Sequence, residues 1–215
     1  FKDAVYQTMR SPLQPQDGTK NLGLGHGVLV SDTMTDFCQG TVRMTGRALD
    51  FALEGEGFFT VSGAQGETLY TRCGLFSVSV EDSGAYLVTQ QGYYVLDDSG
   101  GRIGLPGDVE GVTCSEAGVL SDAAGTPFAA LGIAAFDNPQ GLFKTGGNCY
   151  APSEASGPAK EAGDARVRQG CAESSNVDLV DEITKLMRAQ RAYSLISRAI
   201  TTADEMESVA NNLRR

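Results

Sequence analysis

Four groups of residues in this chain could in principle do chemistry. Gly23, Gly25 and Gly27 repeat with the spacing of a phosphate-cradling loop. A nucleotide loop opens a helix and carries a Gly-Lys-Ser/Thr step, whereas Val28-Leu29-Val30 follows here, so the glycines read as a flexible entry to a strand. His26 is the only histidine; a Ser-His-Asp or Cys-His system would have to use it, and no nucleophile elbow accompanies it. Asp50, Glu54 and Glu56 could suggest a calcium site or an acid/base pair, but they lack an EF-hand or similarly dense ligand spacing. They read as exposed hairpin acids, and Asp97-Asp98 as a turn pair. Cys38, Cys73, Cys114, Cys149 and Cys171 lie more than 20 residues apart. Without CxxC or Cys/His spacing they fit neither a zinc site nor a redox motif, and they read as small buried hydrophobes. No catalytic, cofactor-binding or metal-ligating residue is assigned.

Charge narrows the partners. The net charge is −10. Residues 177–215 hold six acids and six bases, so the preceding 176 residues carry the whole imbalance. An acidic body disfavours nucleic acid and anionic membrane. No apolar run approaches the ~20 residues of a membrane span. The chain opens Phe1-Lys2-Asp3 with neither an initiator Met nor the basic-then-apolar layout of a signal peptide, and further chain is expected upstream.

The elements that would position any site fall into two textures. All 27 glycines and all 7 prolines precede Val177. Within that part, a short extended or helical piece and a Pro/Gly-rich loop lead to a strand opening at Val28. Short β-runs then recur at roughly ten-residue spacing: Leu49–Leu53, Phe58–Val61, Leu69–Arg72, Leu75–Val80, Ala85–Thr89, Tyr93–Leu96 and Ala129–Phe136. Glu54-Gly55-Glu56-Gly57 looks like a hairpin connection between the first two. This spacing indicates antiparallel pairing. The expected fold is mainly β: an antiparallel barrel- or sandwich-like domain with extended segments and one long C-terminal α-helix. Residues 1–45 are expected to form an extended linker pairing with 137–176, residues 46–136 the β domain, and residues 177–215 the helix.

That last segment would run roughly 58 Å at 1.5 Å per residue. Ser175 and Asn176 are N-cap candidates, Asp178, Asp181 and Glu182 suit the positive end of the helix dipole, and Asp181/Lys185 form an i,i+4 pair. Ala189, Ala192, Ile196, Ala199, Ala203, Met206, Ala210 and Leu213 follow an unbroken 3-4 spacing. This is a heptad seam built mostly of alanine, which a partner helix can approach closely. Leu179, Ile183, Leu186, Tyr193 and Ile200 form a second stripe. The plainer alternative, an amphipathic helix lying on its own β domain, leaves much of that length uncovered.

Four ordered segments resemble the axial proteins of the bacterial flagellum, the rod and hook family. Gly40–Val61 (GTVRMTGRALDFALEGEGFFTV) is similar to the family's G-x-x-x-x-T-G-x-x-L-D-x-A-[IL]-x-G-x-G-F-F-x-V. Tyr70–Val95 resembles Y-T-R-x-G-x-F followed by G-x-x-L-V and G-Y. Phe136–Gly157 resembles F-x-N-P-x-G-L-x-x-x-G-x-N-x-Y. Gln169–Met206 resembles Q-G-x-x-E-x-S-N-V, then Q-R-A-Y and T-x-D-x-M. Cys73, Ser194 and Ile196 depart from the family pattern without disturbing the rest. Gly25-His26-Gly27-Val28 and the stretch before it are most similar to the distal-rod branch. The short span between Gly66 and Phe136 leaves no room for a hook-type outer domain.

The resemblance implies a structural subunit of the basal body, outside the cytoplasmic membrane, exported without a cleaved signal peptide. Its partners would be further copies of itself, other rod and hook proteins and the surrounding ring or bushing, with no small-molecule substrate. The family's N-terminal helix, with its A-N-N-x-A-N signature, would lie upstream of Phe1 and pair with the terminal helix. A proximal-rod or hook-type member is the alternative within the family. From another class, the rival is a secreted β-rich adhesin with a coiled-coil stalk.

Overall fold

The structure is a computed structural model that describes residues 2–8, 29–63, 65–81, 84–106 and 111–213. The Gly23–Gly27 loop, His26 and the Pro-rich stretch before them lie outside the described residues. The chain divides into two compact units, Phe1–Asn176 and Val177–Arg215.

The first unit is built of antiparallel strands. A ten-stranded sheet runs in the order Gly104–Leu105, Gly84–Thr89, Tyr94–Val95, Phe58–Ser62, Thr68–Thr71, Cys149–Ala151 and Phe143–Gly146. Phe76–Glu81 and Ile133–Ala135 attach beside this path, and Lys160–Glu161 joins Ile133–Ala135. Thr113–Cys114, Val119–Ser121 and Pro127–Ala130 form a separate meander. The sheets stay open and no closed barrel forms. Lys2–Thr8 is extended and pairs with Leu29–Asp36.

Adjacent residues in the central strands serve different cores. Successive side chains of a strand point to opposite faces. Phe59 and Leu69 enter the main cluster with Phe51, Leu53, Phe76 and Leu87, whereas Phe58 and Tyr70 enter a second cluster with Phe136 and Tyr150. Both faces of the sheet centre are therefore covered, which is why these strands read as continuous apolar runs. Edge-to-face aromatic contacts knit each cluster: Phe59 to Phe76 at 5.2 Å in one, Tyr70 to Phe136 at 4.8 Å in the other.

Two expectations change. Phe51–Glu54 and Phe58–Ser62 do not form a hairpin. The former pairs with Arg166–Gln169 and the latter with Thr68–Thr71. Glu54–Gly57 instead turns the chain from one sheet to another, with Gly55 at φ 96° against the Asp164 carbonyl. The strand expected over Ala129–Phe136 breaks into Pro127–Ala130 and Ile133–Ala135. A Cβ on Gly132 would stand 2.7 Å from the Asp97 carbonyl oxygen, so only glycine lets the chain cross there. Residues 137–176 carry five short strands as well as loops.

The second unit is one α-helix, Leu179–Leu213, of 35 residues. Its N-cap is Asp178, whose Oδ1 accepts the Val180 N–H at 2.9 Å, rather than Ser175 or Asn176. Lys185 bonds Glu182 at 3.0 Å rather than Asp181.

Phe59→Ala is expected to cost about 3–5 kcal/mol, because it empties a fully enclosed site. Val80→Ala, at an exposed position, is expected to stay within about 0.5 kcal/mol. Urea unfolding followed by near-UV signal measures both.

Candidate assembly interface

The first functional element is the connector that leads to the helix. Val42–Met44 pairs with Cys171–Glu173, and the Ser174 N–H extends the ladder by donating to the Thr41 carbonyl at 2.9 Å. The incoming and outgoing chain segments are thus zipped together. They approach so closely that a Cβ on Gly40 would stand 1.9 Å from the Ser174 carbonyl oxygen.

A buried ion pair locks this zipper to the sheets. Arg72 Nε donates to Glu173 Oε2 at 2.8 Å, with the two side chains 6 % and 10 % exposed. The remaining guanidinium nitrogens donate to Gly57 O at 2.8 Å and Leu53 O at 3.3 Å. The other carboxylate oxygen of Glu173 accepts the Gly40 N–H at 2.8 Å. A buried charge is tolerable only when paired and fully hydrogen-bonded, and this arrangement meets both conditions. One cluster therefore ties the turn after Phe51–Glu54, the end of Thr68–Thr71 and both connector strands.

Neighbouring polar residues repeat the pattern. Gln169 Nε2 donates to Ala48 O and Val112 O, each at 2.7 Å, and its Oε1 accepts the Cys114 N–H at 2.9 Å. Asn176 Nδ2 donates to Cys38 O at 3.0 Å and Asp36 O at 3.3 Å. Gln39 bridges Leu53 O and the Gly55 N–H. Sequence reasoning quoted Arg72, Gln169 and Glu173 within family motifs but gave them no role, and it gave Asn176 only that of an N-cap. Their available signal was the three- or four-residue spacing of polar side chains inside a short β segment.

The second element is the helix surface. Leu179, Ile183, Leu186, Tyr193 and Ile200 are exposed on it, as are Ala189, Ala192, Ile196, Ala199, Ala203, Met206, Ala210 and Leu213. At 100° per residue the two stripes lie on different flanks. Val180, Met187 and Val209 are also exposed and fall roughly a third of a turn from both stripes. Sequence reasoning missed them because they complete no heptad. Thr184, Ser194 and Thr202 donate to their own helix carbonyls at Val180, Gln190 and Arg198. Those hydroxyls are already satisfied, so a dry neighbour can cover them without a desolvation penalty.

Of the acids considered for chemistry, Glu54 and Asp97 are occupied locally. Glu54 pairs with Arg168 at 2.7 Å. Asp50 is not an exposed hairpin acid: it is 1 % exposed, with Arg47 Nη1 3.8 Å from its Oδ1. Asp97 Oδ1 accepts the Ser99 hydroxyl at 2.7 Å and the Gly101 N–H at 2.6 Å. Partial burial opposes its ionisation, but these bonds outweigh it and hold the carboxyl below its ordinary range. Among the described residues no three His, Cys, Asp or Glu side chains converge as a metal site would require. Of the cysteines only Cys149 is buried. Cys73, Cys114 and Cys171 are half-buried and Cys38 is exposed, a correction to their reading as core residues.

Glu173→Ala is expected to cost about 3–5 kcal/mol, since it strands the Arg72 guanidinium in a buried site. Replacing Arg72 and Glu173 together by Met and Leu should cost less than the two single changes added. Denaturant unfolding of the four proteins in a double-mutant cycle checks this, and a strictly additive result would remove the coupling.

Comparison with known proteins identifies the family. Residues 52–122 match the "Flagellar hook protein FlgE/F/G D1 domain" model. Residues 168–213, spanning the outgoing connector and the helix, match the "Flagellar basal body rod FlgEFG protein C-terminal" model. The flagellar basal-body rod protein FlgG of Borreliella burgdorferi is 37% identical over 100% of this chain and 84% of its own length. That of Agrobacterium fabrum is 37% identical over 100% of this chain and 85% of its own length. That of Bacillus subtilis is 36% identical, with 100% and 85% covered. The two family models fall on the sheet centre and on the connector-plus-helix, and the relatives span all of it: the chain belongs to the flagellar basal-body rod family of the FlgG type.

Proposed function

We propose that this chain is a structural subunit of the distal rod. Copies of it stack helically into a hollow shaft that carries torque from the motor to the hook within the flagellar basal body. The observation that carries the reading is the terminal helix. It runs for 35 residues, exposes apolar residues on several flanks, and is entered through a connector held by side-chain hydrogen bonds. A helix whose exposed apolar residues fall on several flanks, between charged ones, offers more than one neighbour a contact. Alanines at the seam permit close helix approach, and a shaft under rotation needs many repeated contacts.

The interface residues are those of the two stripes, Leu179, Ile183, Leu186, Tyr193 and Ile200 on one, and Ala189, Ala192, Ile196, Ala199, Ala203, Met206, Ala210 and Leu213 on the other. Val180, Met187 and Val209 extend the surface. The first partner is a further copy of the chain; other rod and hook subunits cap the stack, and the surrounding ring encloses it. The body carries the sheets as an outer layer, with residues 46–136 as the β domain and 1–45 and 137–176 as the arms leading to and from it. No helix among the described residues is long and apolar enough to cross a membrane.

Ile196→Asp and Met206→Asp, each placed in the intact protein in a motile bacterium, are expected to abolish swimming and rod assembly. The urea midpoint of the β unit should stay unchanged. Wild-type swimming in both variants would overturn the assignment of this surface.

A further inference from the structure

Two of the five free cysteines lie close to one threonine hydroxyl, Cys149 on the strand Cys149–Ala151 and Cys73 two residues beyond the strand Thr68–Thr71. Cys149 faces Thr71 across the antiparallel pair, where directly opposed Cβ atoms are roughly 4.5–5.5 Å apart. The Thr71 hydroxyl accepts the Cys73 N–H at 3.2 Å and donates to the carbonyl of Asn148 at 2.8 Å. Cys73 N and Asn148 O can therefore be no farther apart than these two bonds laid end to end. The backbone that carries Cys73 is folded back onto the residue preceding Cys149. A disulfide needs Cα atoms about 4.4–6.8 Å apart, a separation that this fold-back allows.

The two thiols differ in access. Cys149 is fully buried, and its Sγ donates to Gly147 O at 3.6 Å. Cys73 is half-buried and borders a cavity of about 310 Å³ shared with Arg72, Lys144, Asn148 and Glu173. Burial pushes the Cys149 thiol up, and the charge of Cys73 raises it further. Cys114 stands apart: burial pushes it up to about 12, and its Sγ donates to Ser115 O at 3.3 Å.

We propose that Cys73 and Cys149 are a dithiol pair that closes to an intramolecular disulfide, with Cys73 reacting first and Cys149 resolving. The co-reactant is a small-molecule disulfide reaching Cys73 through the cavity. The Cys73 thiolate attacks one sulfur of that disulfide, forming a mixed disulfide and expelling one thiolate, which takes up a proton. The Cys149 thiolate then attacks the Cys73 sulfur and expels the second half. Two electrons and two protons pass from the protein thiols to the co-reactant, which leaves as two thiols. The new bond staples the end of Thr68–Thr71 to Cys149–Ala151, directly beside Arg72. The pairing stands independently of the rod reading.

The test uses the folded chain carrying Cys38→Ser, which removes the exposed thiol. It is treated with oxidised glutathione, quenched in acid, alkylated and mapped by peptide mass spectrometry. The expected product has lost two free thiols and contains one linked peptide joining residues 73 and 149. Cys149→Ala should instead hold glutathione on Cys73, and Cys73→Ala should leave Cys149 reduced. A persistent glutathione adduct on Cys73 with Cys149 intact would overturn the proposal. So would a principal link through Cys114 or Cys171, or both thiols remaining unreacted.

Discussion

The buried Arg72–Glu173 pair is the constraint on which the rest of the first unit hangs. Its residues stand 101 positions apart in the chain, yet between them they hold Leu53, Gly57 and Gly40. Ordering two long charged side chains costs rotamer entropy and desolvation, which makes an ion pair of this kind a weak source of net stability. What it supplies is uniqueness. The guanidinium has a planar donor set that only one arrangement of these carbonyls and this carboxylate satisfies. A connector that slid along its partner by one residue would leave buried charge unpaired.

That constraint makes sense beside an apolar helix. Under the proposed role, the helix would meet several neighbours at once and would carry load only through a connector whose strands hold one register. The strands Val42–Met44 and Cys171–Glu173 are short and hold no fully buried residue, so hydrophobic burial does little to hold them. Hydrogen bonds from Gln169, Glu173 and Asn176 take over that task. The core behind them is conventional in its physics, with Phe58 and Phe59 dividing one strand between two aromatic-rich clusters.

Much of this was legible in the chain itself. The disappearance of glycine and proline before Val177 marks the helix, and the β-runs Leu75–Val80 and Ala85–Thr89 mark two strands that are found paired as Phe76–Glu81 and Gly84–Thr89. The failures share a cause. Glu54-Gly55-Glu56-Gly57 resembles a hairpin turn locally, but the partner of Phe51–Glu54 is Arg166–Gln169, and no local signal reports a partner so distant. Asp50 looks like a surface acid by type, yet tertiary packing buries it. Asn176 has the chemistry of an N-cap and is used instead to hold Asp36 and Cys38, while Asp178 caps the helix. Local propensity names what a residue can do; long-range packing decides which option is taken.

The most direct measurement is amide hydrogen exchange over Leu179–Leu213, compared between the free chain and assembled rods. Exposed helix amides open readily when no neighbour covers them. If the helix is the assembly surface, protection along Ile183–Ala210 rises by orders of magnitude on assembly, while the Phe59–Val61 strand, already buried, changes little. Equal exchange of the helix in both states would contradict it.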